Sequence, residues 1–299
     1  MVAAQEQNQA RQPLDVVRLT PLMEVTTGRP EILIGLADGP VATTHPDLVN
    51  ARIRELPGTA GGRCVDESSA ACRHGTFVAG ILSARRSAAA PAICPYCTLV
   101  LRPIFSEQLS KDSLMPSATP EELAAAILDC VQAGVRVLNL SSALAQPSIR
   151  GERKLEEALD CAMQLGVIVI AAAGNQGNMG SSAITRHPGV IPVAACEMHG
   201  RPLDYSNLGH SIGRRGLSAP ADGITRLTPR GELVASGGTS IAAPFVTGAV
   251  ALLWSQFPNA NAARIKRAIT GATSTRRTSV VPPLLDAWAG YLLMLQAHS

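Results

Sequence analysis

With 299 residues, 46% of them hydrophobic and 16% charged, the chain is long and apolar enough to bury one large core, which excludes a disordered protein. A net charge of +3, from 26 basic against 23 acidic residues, is too weak to point to nucleic acid or a polyphosphate partner. Aromatic residues at 3% are too sparse for base-stacking platforms, and seven cysteines are too few, and odd in number, for a disulfide scaffold.

The first residues, Met1 to Gln7, are polar and lack the basic-then-apolar order of a secretory signal. The longest apolar runs, such as Val167–Ala173 and Ala249–Trp254, fall far short of the roughly 20 residues that a membrane span needs. These features predict a cytoplasmic protein with no membrane partner. No internal repeat or dividing linker is present, so a single domain over residues 1–299 is expected, with 1–12 and about 274–283 weakly patterned.

In chain order, Ile32–Ala37 is a short apolar run ending in Asp38-Gly39-Pro40, the pattern of a buried strand entering a turn. Thr98–Pro103, Val135–Ser141, Val167–Ala173 and Val190–Ala195 repeat the type, rich in the β-branched and small apolar residues of buried parallel strands. Glu107–Ala118 reads as a polar surface loop. Thr119-Pro120-Glu121-Glu122 then supplies a cap, a first-turn proline and two acids. Leu123, Ile127, Leu128 and Val131 follow at helical spacing, and Gly134 ends the helix. Leu155–Leu165 before Gly166 repeats that pattern. Such alternation predicts an α/β fold: a mostly parallel central sheet, right-handed crossovers and helices on both faces.

Ligand sites of open parallel sheets form at the carboxyl ends of strands, and four loci there carry reactive side chains. Asp38 directly follows an apolar strand, where a carboxylate needs hydrogen bonds or a cation, although a turn-forming Asp before Gly is also common. His74 precedes the apolar segment Gly75–Leu82, read as a helix; a lone histidine at a helix start is more often structural than catalytic. Ser240, in Gly237-Gly238-Thr239-Ser240, precedes the long apolar segment Phe245–Trp254, placing its hydroxyl at a helix N-terminus that favours developing negative charge; an ordinary N-cap would look the same. Asn175 ends a buried strand beside Gly174, where its amide could donate to an oxyanion. Each signal alone is modest; together, in the order Asp, His, Asn, Ser, they are specific.

That set resembles the subtilisin-type serine proteases, whose triad runs Asp, His, Ser along the chain. The matches are Ala37-Asp38-Gly39-Pro40 with His45-Pro46-Asp47-Leu48, His74-Gly75-Thr76 with Val78-Ala79-Gly80, Ala172-Ala173-Gly174-Asn175, and Gly238-Thr239-Ser240 through Pro244. Val137–Ser141, Val190–Ala195 and Ser206-Asn207-Leu208-Gly209 are similar to connecting segments of the family, so the likeness covers about residues 30 to 272. Within the family the wording is most similar to the cyanobactin-type proteases that mature ribosomally made peptides. Asp38-Gly39-Pro40-Val41, Cys94-Pro95-Tyr96-Cys97, Arg102-Pro103-Ile104-Phe105 and Pro244-Phe245-Val246-Thr247-Gly248 carry that likeness, Phe245 standing where the usual subtilisin has histidine.

The resemblance implies a three-layer subtilisin-like fold and an endopeptidase that trims a precursor peptide. Ser240 would be the nucleophile, His74 the general base, Asp38 its orienting partner, and Asn175 with the Ser240 backbone N–H the oxyanion donors. Substrate would bind extended along Leu140, Ser141, Ser142 and Ala143, with Ala173 and Gly174 beside it. Ala143 replaces a usual glycine and Gln176 a frequent acid, which implies a small or uncharged residue before the cut. Only about 30 residues precede the Asp38 strand, so a chain without the usual prodomain is expected.

No cofactor is expected. Asp47 matches a calcium-ligand position of the family, yet the loop Arg85-Arg86-Ser87-Ala88-Ala89-Ala90 brings two cations and no acid, so an absent calcium site is expected. Cys64, Cys72, Cys94 and Cys97 leave three readings open: free thiols, favoured in a cytoplasm; one or two disulfides; or a four-thiolate zinc site. Cys130, Cys161 and Cys196 read as buried small hydrophobes. Other functions compatible with the chain are a general intracellular degradative subtilisin, a peptide macrocyclase and a catalytically silent peptide-binding scaffold. Macrocyclising relatives carry a helical insertion for which the separation of 36 residues from Asp38 to His74 leaves no room, and no catalytic residue has decayed. The oligomeric state and the peptide partner's sequence are not legible.

Overall fold

The computed structural model describes residues 12–57, 62–107, 118–141, 152–227, 234–272 and 278–297. Two short helices, α1 (Pro13–Val16) and α2 (Thr20–Val25), precede strand β1 (Leu33–Asp38). The chain continues through β2 (Arg52–Glu55), α3 (Ala70–Ser83), β3 (Thr98–Pro103), α4 (Pro120–Gln132), β4 (Val137–Leu140), α5 (Arg153–Gln164) and β5 (Ile168–Ala172). Then follow α6 (Ala183–Arg186), β6 (Val190–Cys196), α7 (His210–Arg215), β7 (Leu217–Pro220), β8 (Ile224–Arg226) and β9 (Val234–Ser236). Helices α8 (Thr239–Gln256), α9 (Ala262–Gly271) and α10 (Ala287–Gln296) complete the order.

Seven strands form one sheet in the order β2-β3-β1-β4-β5-β6-β7. Every pairing in it is parallel. The chain leaves β1 for the β2 edge, returns through β3 and then crosses β1 to β4, so the carboxyl end of β1 lies where the winding reverses, the place where such sheets build ligand sites. Strands β8 and β9 form a separate antiparallel pair just before α8.

Alternation along the strands sorts the side chains into two cores. Ile34, Leu36, Val137, Ile168 and Ile170 face the layer of α3 and α8, while Ala37, Leu138, Leu140, Val169 and Ala171 face α4 and α5. A strand buried on both faces must be apolar throughout, which is why these segments read as unbroken runs. The expected α/β architecture with helices on both faces is the observed one. Helix α4 starts as its sequence predicts: the Thr119 side chain accepts from the Glu122 N–H at 3.2 Å and Glu122 returns the bond to the Thr119 N–H at 2.8 Å.

Differences from expectation are local. Strand β2 and strands β7–β9 lack the long apolar run that marks the others. Helix α3 begins at Ala70, capped by Ser69 through the Cys72 N–H at 3.1 Å, so His74 lies inside the helix and not before it. Of the expected Glu107–Ala118 loop, residues 108–117 lie outside the described residues. No described helix is long and apolar enough to cross a membrane.

Candidate active site

The chain places Asp38 as the last residue of β1, with no exposed surface. Its Oδ1 accepts the Gly39 N–H at 2.6 Å and lies 2.6 Å from Nδ1 of His74, while Oδ2 is buried without a hydrogen-bond partner. An ionised carboxylate can only accept, so the imidazole proton sits on Nδ1 and Nε2 is left as the acceptor.

His74 is brought there by close backbone contact. A Cβ at Gly75 would strike the carbonyl oxygens of Gly39 and Pro40, and one at Gly39 would strike the carbonyl of Ala71. The two glycines therefore let α3 lie directly on the turn after Asp38, which explains the Asp-Gly and His-Gly pairs. Two further links steady this end of α3. Thr76 Oγ1 accepts the Ala42 N–H at 2.9 Å, and a Cys64–Cys72 disulfide, with Cα atoms 5.5 Å apart, ties the first turn to the preceding loop. Glu107 anchors the same loop by accepting from the N–H groups of Val65 and Asp66, both at 3.0 Å.

Ser240 occupies the first turn of α8, where the helix dipole favours negative charge. Its Oγ lies 2.9 Å from His74 Nε2, across 166 residues of sequence. Pro244, four residues on, has no N–H to give to the Ser240 carbonyl, so the first turn is released from the helical ladder at this residue. Helix α8 is locked to the sheet beside the site. The Thr247 hydroxyl donates to Asn139 Oδ1 at 2.8 Å, and Asn139 Nδ2 donates to Ser141 Oγ at 2.7 Å, all three side chains being buried.

Asn175 follows β5 and is exposed. Its Oδ1 accepts both the N–H and the hydroxyl of Thr239, at 2.8 and 2.9 Å. With the oxygen fixed, Nδ2 is the end without a hydrogen bond among the described residues; Asn175 Nδ2 and Ser240 Oγ each lie 3.4 Å from the position a Cβ on Gly238 would take. In the sequence Thr239 stands out only as the middle of Gly-Thr-Ser; its grip on Asn175 depends on a contact 64 residues apart that no local pattern announces.

The expected substrate-binding residues divide. Leu140 is a core side chain against α4 and α5, its backbone in register between Ala37 and Ala171. Ser141 is buried with its hydroxyl held by Asn139. Ala173 donates its N–H to Val193 O at 2.9 Å, and Gly174 donates to Thr239 Oγ1 at 3.1 Å, so both are structurally engaged next to Asn175. Ser142 and Ala143 lie outside the described residues.

The cysteine readings need correction. The sequence favours free thiols at all four candidates, but Cys64 and Cys72 are disulfide-bonded. A four-thiolate site is overturned too: Cys64 and Cys72 gather with Glu107, and Cys94 and Cys97 are not part of that group. Cys94 and Cys97 are buried free thiols, and the hydrogen bond between them, with burial, holds Cys94 well above the ordinary thiol range. Burial pushes Cys130 up to about 12 and Cys196 up to about 11, whereas Cys161 is only half-buried, against expectation. At the calcium-like position, Asp47 forms an ion pair with Arg85, and its carbonyl accepts the Arg85 N–H at 3.0 Å.

A sequence model of the subtilase family matches residues 29–290. Subtilisin DY of Bacillus licheniformis is 27% identical over 252 residues, covering 81% of this chain and 84% of its own. The chain spans 58% of the length of several further curated subtilisins. Among solved structures, the protease domain of PatA superposes with a TM-score of 0.82 at 28% identity, over 90% of this chain and 97% of that one. The prenylagaramide maturation protease PagA superposes with a TM-score of 0.80 at 26% identity, over 92% of this chain and 98% of the other.

Proposed function

Because the chain belongs to the subtilase family, we propose that it is a serine endopeptidase that trims a ribosomally made precursor peptide, with Asp38, His74 and Ser240 as its triad. The observation carrying this reading is the unbroken line from buried Asp38 through His74 to Ser240, with links of 2.6 and 2.9 Å.

Ser240 Oγ attacks the scissile carbonyl carbon as His74 Nε2 takes the hydroxyl proton. The carbonyl π pair moves onto oxygen, and the resulting oxyanion accepts from Asn175 Nδ2 and the Ser240 N–H. Collapse of this intermediate breaks the C–N bond; the leaving amine takes the proton from Nε2, and an acyl-Ser240 remains. Water then attacks the ester, giving its proton to His74, and the released Ser240 oxygen recovers it. Throughout, Asp38 holds the ring and stabilises its cation without taking the proton.

The precursor-peptide substrate is supported by likeness to PatA and to the maturation protease PagA, both above 25% identity over most of the chain. Hydrolysis is preferred to macrocyclisation because only β2 and the start of α3 are described as elements between Asp38 and His74. Incubation with linear precursor peptides, read by mass spectrometry, tests this. Two fragments whose masses sum to the substrate plus one water support it, and an uncharged residue is expected before the cut. A single product that has gained no water and lost its trailing segment overturns hydrolysis in favour of aminolysis, and intact peptides throughout contradict the precursor-trimming reading.

A further inference from the structure

Asn207 and Tyr205 lie between β6 and α7, outside the triad and its oxyanion donors, yet their hydrogen bonds converge on the two loops that carry those donors. Asn207 makes five bonds to the loop around Asn175 without touching Asn175 itself. Its N–H donates to Gly174 O at 2.9 Å. Its Nδ2 donates to Ala173 O at 3.2 Å and Gln176 Oε1 at 2.7 Å. Its Oδ1 accepts from the Gln176 N–H at 3.1 Å and the Asn178 N–H at 2.9 Å. Both donors and both acceptor sites of the side-chain amide are thus in use, on either side of Asn175. No other side chain of similar size offers two donors and two acceptors in that arrangement; aspartate would lose both donors.

Tyr205 makes the complementary connection. Its carbonyl accepts the Gly177 N–H at 2.7 Å, at the far end of the Asn175 loop. Its hydroxyl accepts the Gly238 N–H at 2.8 Å, two residues before Ser240. Between them, the Ser206 hydroxyl accepts the Ala195 N–H at 3.0 Å and fastens the segment to β6. The loop so gripped needs the grip: Gly174 has φ 107° and Gly177 φ 63°, backbone regions that a glycine leaves at little cost. Gly174 is also pressed so close to Asn207 Nδ2 that a Cβ there would collide with it.

We infer that Asn207 and Tyr205 are positioning residues that hold the Asn175 amide and the Ser240 loop in register, so that both oxyanion donors point at one carbonyl oxygen. The inference rests on the proposed role of Asn175. Misplacement of a donor by a fraction of an ångström weakens a bond made mainly in the transition state, so the loss falls on kcat and not on KM.

A double-mutant cycle tests it, read as kcat and KM on an uncharged peptide p-nitroanilide, with circular dichroism and Tm recorded for every variant. Asn207→Ala is expected to lower kcat by about 10- to 100-fold, with KM changed less than about twofold. In an Asn175→Ala background the same substitution should change kcat by less than about twofold, because the donor it aims is gone. Tyr205→Phe, which removes the hydroxyl that accepts the Gly238 N–H on the Ser240 side, should lower kcat by about 2- to 10-fold in both backgrounds, since the Ser240 N–H remains a donor without Asn175; Asn207→Asp, which lacks both amide donors, is read in place of Asn207→Ala should the latter not fold. Equal losses from the Asn207 substitution in both backgrounds, or unchanged kcat in the single variants, overturn the inference and leave Asn175's role standing. Unchanged kcat in Asn175→Ala alone overturns that role and the inference with it.

Discussion

Thr239 holds Asn175 by two bonds to a single atom: its N–H at 2.8 Å and its hydroxyl at 2.9 Å both end on Asn175 Oδ1. The residue that precedes Ser240, the proposed nucleophile, therefore fixes which end of the Asn175 amide is turned away from it. Asn175→Ala should lower kcat about 10²- to 10³-fold, the size of loss that removing one oxyanion donor causes in a subtilisin. Since Asn175 is exposed, Tm should move little. Steady-state kinetics alongside thermal unfolding checks both halves, and an unchanged kcat would remove Asn175 from the oxyanion site.

The Cys64–Cys72 disulfide closes a short loop, eight residues in sequence, against the helix that carries His74. Constraining the unfolded chain over such a loop contributes about 2 to 3 kcal/mol. Dithiothreitol should lower the Tm of the parent protein, and the Cys64→Ser, Cys72→Ser double variant should start lower and ignore the reductant. Identical melting of parent and variant would show the pair to be unbonded. Because disulfides persist mainly in oxidising compartments, trapping these thiols in the producing cell also reports the protein's setting.

Buried hydrogen bonds tie α8, the helix that carries Ser240, to the sheet. Thr247→Val keeps the shape of the side chain but leaves Asn139 Oδ1, fully buried, without the Thr247 hydroxyl. An unsatisfied buried acceptor costs about 1–3 kcal/mol, so chemical denaturation should show a loss of that size. Restoration toward parental stability when Asn139 is also made apolar would assign the cost to the orphaned acceptor; a neutral Thr247→Val would show that the bond contributes nothing.

Lys266 donates to Pro188 O at 2.7 Å, and burial, reinforced by Arg215, pushes its amine down to about 8. The unfolded chain, with an ordinary lysine near 10.4, binds the proton more tightly across the interval between those values. Stability from this residue must therefore rise with pH between about 8 and 10.4, and the penalty is fully present below about 8. Lys266→Met should flatten that rise relative to the parent; parallel stability–pH curves would contradict the shift.

How much can be read from the sequence follows from what each element buries. Strands β1 and β3–β6 are legible because both faces pack against helices, which demands continuous apolar runs. Strand β2 escapes because Arg52-Ile53-Arg54-Glu55 is an edge strand whose outward residues are charged. The start of α3 reads too late because Ser69 caps it ahead of the polar pair Arg73 and His74, so apolar patterning begins a turn further on. At the site, Asp38 and Asn175 are visible beside strand ends and Ser240 at a helix start, while His74 is visible only beside an apolar segment whose helix in fact begins a turn earlier. Thr239, Tyr205 and Asn207 carry no such signal, since their bonds reach across loops and depend on tertiary geometry. Cysteine pairing is illegible for the same reason: the C-x-x-C spacing groups Cys94 and Cys97 with Cys64 and Cys72, while the fold buries the former as free thiols.

The most direct measurement of the central claim is covalent labelling with a fluorophosphonate, which reacts only with a serine whose hydroxyl is activated. Peptide mapping should find the probe on Ser240 alone, with labelling abolished in Ser240→Ala and slowed by orders of magnitude in His74→Ala. Labelling that persists in Ser240→Ala, or a folded parent protein that never reacts, would contradict the assignment of Ser240 as the nucleophile.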